Sequence, residues 1–199
     1  PTIDTELSVL AQNRARFEAQ GVHLVISDAD FIKVCCDKRL TDSLFEDLGI
    51  AVPKHLDKDH ASFPMFAKPY DGSLSVNTHV IKSEDELTPD ILEDPKLLFM
   101  EYIDKKEYKE YTVDMYYGID GQVKGIVPRE RLEVRAGEIN KGITRKNSIV
   151  GFLKERMATM KGVRGCICLQ LFYRASDQDI KGIEINPRFG GGAPLSMKA

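Results

Sequence analysis

Four cysteines in 199 residues are a small stock, spaced for neither a disulfide framework nor a zinc site. They fall as Cys35-Cys36 and Cys166-x-Cys168, with no CxxC among them. On a strand, Cys166 and Cys168 would point the same way. All four read as reduced packing thiols of a cytoplasmic protein, with a disulfide or zinc site as the minority reading. There is no basic block, and the formal charge is -3, so the chain lacks the electrostatic footprint of a nucleic-acid binder. No apolar run approaches the roughly 20 residues of a membrane span. No secretory leader is visible, and there is no internal repeat or low-complexity segment. The chain opens on Pro1 and closes inside the patterned stretch "PLSMKA", as a fragment would.

What is present is ordinary globular material, 42% hydrophobic and 30% charged, enough for one large domain or two small ones. "LSVLAQNRARFEAQG" carries Leu7, Leu10, Ala11 and Phe17 at helical spacing and stops at Gly21. "VHLVIS" (22–27) follows as a β-rich run, so this pair resembles the last unit of an α/β layer. "DKRLTDSLFEDLG" predicts a second helix ending at Gly49. "FPMFAKP", ended by Pro69, "VNTHVIK" and "KLLFMEYI" predict strands, and Ser83 with Glu86 predicts a capping box. Asp120-Gly121 lies between two alternating runs, a strong hairpin signal. "SIVGFLKERMATMKG" predicts an amphipathic helix with Gly162 past its end. "RGCICLQLFYRASDQDIKGIEINP" predicts a second hairpin. The sum is an α+β domain, a mostly antiparallel sheet with helices on it.

The last hairpin turns within "RASDQD", near Asp177. Folding it there sets Gln170 opposite Glu184 and Cys168 opposite Asn186, and opposite residues share a sheet face. Ile167, Leu169, Leu171, Ile183 and Ile185 then form the core face. Gln170, Glu184 and Asn186 offer only amide and carboxylate oxygens, the hard donors that suit magnesium shared with phosphate. Alternation alone equally describes a solvated amphipathic face, and a one-residue slip would break the pairing.

Seven stretches in order, "CDKRLT", "FAKPYDGSLS", "FMEYI", "KEYTVD", "RLEVRAGEINKG", "CLQ" and "EINPRFGGG", resemble ATP-grasp enzymes of the carbamoyl-phosphate-synthase large-subunit type. The resemblance runs from about residue 30 to the end. It implies an ATP-grasp fold of two α+β lobes over residues 31–199. Residues 1–30 would be the remnant of a Rossmann-like α/β domain. It further implies Lys38 and Lys68 on the ATP phosphates, and Gly72, Ser73 and Ser75 in a phosphate-covering loop. The Glu101 carbonyl and Ile103 N–H would meet the adenine edge, and Glu110 would meet the ribose, with Glu107 competing for that role. Gln170, Glu184 and Asn186 would hold two Mg2+ ions, with Mn2+ as an alternative. Arg188 would face the transferring phosphoryl group, Arg135 and Lys141 would lie near the γ-phosphate and the acyl substrate, and Gly190 to Gly192 would leave room for substrate or for close backbone approach. Val76-Asn77 departs from the family, whose loop is usually richer in glycine there.

The implied activity is an ATP- and magnesium-dependent ligase that activates a carboxylate as an acyl phosphate and passes it to an amine-type nucleophile. The rival readings are a bicarbonate-activating carboxylase-type enzyme and a nucleotide-binding module without turnover. The implied partners are small-molecule carboxylates and amines, without nucleic acid or membrane, and a homo-oligomer is left open.

Overall fold

The computed structural model describes residues 1–58, 62–72, 76–135 and 138–199, and of Glu138 the backbone alone. Two antiparallel sheets organise the chain. The smaller comprises β1 (Met65–Pro69), β2 (His79–Ile81) and β3 (Leu97–Glu101) in the order β2-β1-β3. The larger comprises β4 (Lys109–Tyr117), β5 (Val123–Arg135), β6 (Glu138–Thr144), β7 (Gly165–Arg174) and β8 (Asp179–Asn186), in the order β6-β5-β4-β7-β8. The helices are α1 (Asp4–Gln12), α2 (Arg14–Glu18), α3 (Ala29–Cys35), α4 (Lys38–Asp47), α5 (Pro89–Glu93), α6 (Ser148–Met157) and α7 (Ala193–Ser196). No helix of the described residues is long and apolar enough to cross a membrane.

Period-two alternation builds the large core. Tyr111, Val113, Met115 and Tyr117 of β4 are buried on one face with Ile167, Leu169 and Leu171 of β7. Against them lie Ile149, Leu153 and Met157 of α6, spaced four apart so that they share one helix stripe, and Phe45 of α4. Each such side chain, fully buried, contributes about 1.5–3 kcal/mol. The Phe45 ring lies on Gly182, where a Cβ would come within 2.6 Å of it, so that position needs glycine. At the start of α4 the Asp37 carboxylate accepts from the Arg39 N–H at 2.9 Å, and Gly49 ends the helix at φ 69°. A second core, around Met65, Ala67, Ile81, Leu97 and Phe99, belongs to the small sheet.

Residues 51–56 stitch the two sheets together. The Gly182 N–H donates to the Ala51 carbonyl at 2.8 Å, while the Leu56 N–H donates to Phe99 and the Glu101 N–H to Lys54 at 2.9 and 2.8 Å.

Several expectations are corrected. Residues 22–27 form no strand, because no neighbouring strand pairs with them; the Arg14 guanidinium instead donates to the carbonyls of Leu24, Ile26 and Ser27. The first helix is broken at Asn13 into α1 and α2. The Ser83–Glu86 capping box does not form; Glu86 instead accepts from the Lys82 N–H at 2.8 Å, over a single 3-10 turn. All four cysteines are free, but Cys36 is exposed rather than packed.

Candidate functional site

The face of the large sheet away from the core is polar, and register assigns its members. Thr112 pairs with Gln170 on one side and Arg129 on the other, and Gln170 pairs with Glu184. The next rung is Asp114, Cys168 and Asn186. Residues on one rung share a face. Gln170, Glu184 and Asn186 therefore stand side by side, and both amides reach the same oxygen. Gln170 Nε2 donates to Glu184 Oε1 at 2.8 Å and Asn186 Nδ2 donates to it at 3.1 Å.

Beyond this point the hairpin differs from the simple folding. A β-bulge lies between Gln170 and Leu171, so Leu171 faces Gly182 and Ile183 is the extra residue. Ile183 is therefore half-buried and outside the core that was expected to hold it; Ile180 takes its place there. The bulge also turns out the Ile183 carbonyl, which accepts from Lys68 Nζ at 3.3 Å.

Two lysines arrive from elsewhere. Lys68 projects from β1 and is 6% exposed. Burial pushes its pKa below the ordinary lysine value, partly opposed by the charges of Asp42 and Glu184. Lys38, the first residue of α4, donates to the Gly72 carbonyl and lies 4.0 Å from Glu184 Oε2. Neither is the solvated surface charge that a lone lysine usually is.

On the hinge side, the Glu101 carboxylate accepts from Lys181 Nζ at 2.7 Å and from the Lys54 N–H at 3.0 Å, while Met100 and Ile103 are buried. Glu110 lies on the polar face, 3.0 Å from Arg131 Nε and 3.6 Å from Lys105 Nζ. Glu107 pairs with Arg174 at 3.3 Å, beside the β7–β8 turn. Ser73 and Ser75 lie outside the described residues. Asn77 adopts φ 55°, the left-handed region where asparagine is the best tolerated substitute for glycine, and its Nδ2 donates to Asp94 at 3.1 Å.

Arg188 Nη2 donates to Asp4 Oδ2 at 2.7 Å, and its Nη1 donates to the Phe189 carbonyl at 3.2 Å. Arg135 and Lys141 are held differently from the others. Both bind Glu133, at 2.8 and 2.7 Å, with their side chains 74% and 70% exposed. The structure does not join them to the cluster around Glu184. The glycine run is also not open space. A Cβ on Gly192 would lie 1.9 Å from Arg129 Nη1, and one on Gly190 would lie 2.9 Å from Cys168 Sγ. At Gly190 and Gly192 the absence of a side chain allows close approach of backbone to Cys168 and Arg129.

Sequence reasoning missed two groups. Asp42, four residues after Lys38 and so on the same helix face, pairs with His55 at 2.9 Å. Arg129, 1% exposed, donates to Asp114 Oδ2 at 3.0 Å, and Ser196 Oγ donates to the same oxygen. Asp114 Oδ1 and Arg129 Nε are buried with no hydrogen-bond partner among the described residues.

The oxygen set fits a divalent cation. No group of three His, Cys, Asp or Glu side chains that could cage a metal occurs among the described residues. Glu184 with two amides can therefore supply only part of a shell. That is the magnesium pattern, in which water and phosphate complete the coordination. A half-turn of either amide presents its oxygen in place of its nitrogen.

Residues 93–199, just over half of the chain, match the family model described as ATP-grasp in the biosynthetic pathway with Ter operon. The chain belongs to the ATP-grasp family. No curated protein matches it by sequence. Among solved structures, a pyruvate carboxylase from Rhizobium etli is similar at TM-score 0.75 and 13% identity, over 100% of this chain and 20% of that one. The biotin carboxylase domain of Hydrogenobacter thermophilus 2-oxoglutarate carboxylase, in complex with MgADP, ADP and bicarbonate, is similar at TM-score 0.66 and 14% identity, over 94% and 47%. An L-amino acid ligase from Bacillus licheniformis is similar at TM-score 0.68 and 18% identity, over 96% and 49%. At these identities the likeness speaks for the ATP-grasp fold, and this chain spans half or less of each of those proteins.

Proposed function

We propose that the chain carries the nucleotide site of an ATP-dependent ligase resembling the carbamoyl-phosphate synthase large subunit. In this reading it activates a carboxylate and passes it to an amine-type nucleophile. The observation that carries the reading is the gathering of two lysines at the Gln170–Glu184–Asn186 cluster of the large sheet: Lys38 of α4 lies 4.0 Å from Glu184, and Lys68 of β1 donates to the adjoining Ile183 carbonyl. Cations facing hard oxygen donors are what a magnesium-bound polyphosphate needs on its two sides.

The chemistry would balance as follows. A carboxylate oxygen of the acid bonds to the γ-phosphorus, and the bond to the β-phosphate oxygen breaks, releasing ADP. The amine nitrogen then attacks the acyl carbon, phosphate leaves, and the nitrogen gives up its proton. Gln170, Glu184 and Asn186 would hold two Mg2+ ions, which when bound neutralise phosphate charge. Lys38 and Lys68 would hold the phosphates under the Gly72–Ser75 loop. The Glu101 carbonyl and Ile103 N–H would take the adenine edge. Glu110 would take the ribose: it shares the polar face, whereas Glu107 is turned to Arg174. Arg188 would stabilise charge on the phosphoryl group in transit. Arg135 and Lys141 are left out of this mechanism because both charges are spent on Glu133. The four free thiols support a reducing, cytoplasmic setting. Residues 1–30 are proposed to close a preceding Rossmann-like domain, supported by the separate apolar cluster that Leu7 and Ile26 form with Ile32.

A second reading makes bicarbonate the acid and is favoured by the likeness to a biotin carboxylase domain. ADP release with MgATP, against pooled carboxylates and amines and against bicarbonate alone, tests both. Release that needs an acid and an amine together supports the ligase. Release with bicarbonate alone supports the carboxylase. Nucleotide binding without release under any condition would leave a binding module and overturn the proposal.

A further inference from the structure

Arg188 follows Pro187 at the exit of β8, where no neighbouring strand fixes its direction. One of its described acceptors is its own neighbour: Nη1 donates to the Phe189 carbonyl. The other comes from 184 positions away, where Asp4 Oδ2 accepts from Nη2 at 2.7 Å. Asp4 is well placed to hold it. It is the first residue of α1, and three residues on, Leu7 is fully buried with Ile26 and Ile32. The Asp28 N–H donates to the Gly162 carbonyl at 2.7 Å, and Arg164 Nη2 lies 3.3 Å from Asp28, so this N-terminal unit is tied to the entry of β7. The Asp4 carboxylate thus stands on a helix anchored to the same sheet that carries Glu184. Arg188 is 19% exposed at its side chain and Asp4 37%. The charge-assisted hydrogen bond to Asp4 fixes the Nη2 end of the half-sheltered guanidinium.

We infer that Asp4 is a positioning residue for Arg188: the N-terminal helix, which lies outside the residues that match the ATP-grasp family model, sets the direction of the arginine that acts on the phosphoryl group. This rests on the role proposed above for Arg188. It assigns residues 1–12 a part in the site and predicts that an exchange of the N-terminal unit alone alters turnover without altering how tightly nucleotide is held.

The test is steady-state ADP release by the whole chain with MgATP, for wild type, Asp4→Asn, Asp4→Glu, Arg188→Ala and the Asp4→Asn/Arg188→Ala double variant. Asp4→Asn keeps the shape and removes the charge. It should lower kcat about tenfold, inside the hundredfold that a misplacement of about 1 Å can cost, with KM for ATP within about twofold. Asp4→Glu should recover part of that loss, and the double variant should be no slower than Arg188→Ala alone. Wild-type kcat in Asp4→Asn would overturn the inference. So would losses that multiply in the double variant. A higher kcat would too, since it would make Asp4 a brake rather than a support. If the wild-type chain releases no ADP, the reading of the site's function fails instead. The inference is then decided by the change in the Arg188 Nε–Hε resonance on adding the magnesium complex of a non-hydrolysable ATP analogue: a ligand-induced change lost or reduced in Asp4→Asn supports it, and one equal to that of wild type overturns it.

Discussion

Two hairpins of the same sheet were expected to supply the site, and they behave in opposite ways. In β7–β8, Gln170 and Asn186 both donate to Glu184, and Lys38 and Lys68 close over the pair from another part of the chain. In β5–β6, at the opposite edge of the sheet, the largely exposed Arg135 and Lys141 share Glu133. Both hairpins carry acidic and basic side chains at strand spacing. What separates them is cover. The rungs of β7–β8 lie under elements that bring outside charge to them, whereas among the described residues Arg135 and Lys141 of β5–β6 pair with Glu133 of the same hairpin. A charged strand becomes a candidate site when something else in the fold faces it.

The same strand sharpens the contrast, because Arg129, nearer the base of β5, lies three paired positions from Glu133 and is held quite differently. It is fully buried against Asp114. Removing one partner of a buried ion pair leaves the other charge uncompensated, at a cost of about 3–5 kcal/mol. Arg129→Met should lose stability of that order in chemical denaturation. A loss no greater than that of a surface substitution would mean that Asp114 finds another partner, and the distinction between base and tip would weaken.

Next in size is Arg188. If it stabilises charge in the transition state, Arg188→Ala should lose about 3 kcal/mol on the barrier, roughly a hundredfold in kcat, while MgATP affinity by calorimetry changes little. Arg188→Lys should recover little, because an ammonium cannot reproduce the planar fork. Near-normal turnover in both variants would reduce the Asp4 contact to a partly exposed ion pair, with no part in the mechanism.

How far these differences could be read from the chain depends on sequence separation. The β7–β8 rungs follow from folding the hairpin about its turn. That arithmetic holds from Cys168 to Gln170 and fails at the bulge, which no residue pattern announces. The same folding about Asp120-Gly121 sets Thr112 opposite Arg129, so the place of the buried arginine was legible. Asp42 was legible too, one helical turn from Lys38. The strand expected at 22–27 failed because β propensity describes a fit to neighbours, and here a single arginine takes the carbonyls instead. The meeting of Lys68 with Ile183, or of Asp4 with Arg188, spans 115 and 184 positions, and only the folded chain reveals it.

Lys68 offers a smaller effect with a definite sign. Its folded pKa is lowered, chiefly by burial, below the value of about 10.4 that it holds in an unfolded chain. Between those two values the unfolded state carries more of this proton, so this residue's contribution to stability rises with pH across that window. A phosphate placed beside it would favour the charged form and raise the pKa again. MgATP binding should therefore take up a fraction of one proton at alkaline pH. Calorimetry in two buffers of different ionisation enthalpy would measure the uptake, and Lys68→Met should abolish it. Uptake that persists in Lys68→Met would place the linkage on another group, and proton release would contradict the proposed phosphate contact.

The smallest effect is expected at the hairpin tip, and it is the one that most directly tests the comparison. Lys141 and Arg135 each hold Glu133, and their hydrogen bonds to it, that of Lys141 first, lower the Glu133 pKa with help from Asn140. All of this takes place in solvent, where water and salt screen charge and long side chains lose freedom to stay paired. Lys141→Ala and Glu133→Gln should therefore leave the unfolding midpoint and kcat unchanged within error, and raising the salt should erase any residual difference. The alternative is that the hairpin releases Glu133 when nucleotide arrives and carries Lys141 and Arg135 to the phosphates. In that case Lys141→Ala would lower kcat while leaving the free protein's stability untouched, and Glu133→Gln, by freeing both cations, would raise nucleotide affinity. That pair of results would show that cover can be supplied by the ligand as well as by the fold, and the edge hairpin would join the site.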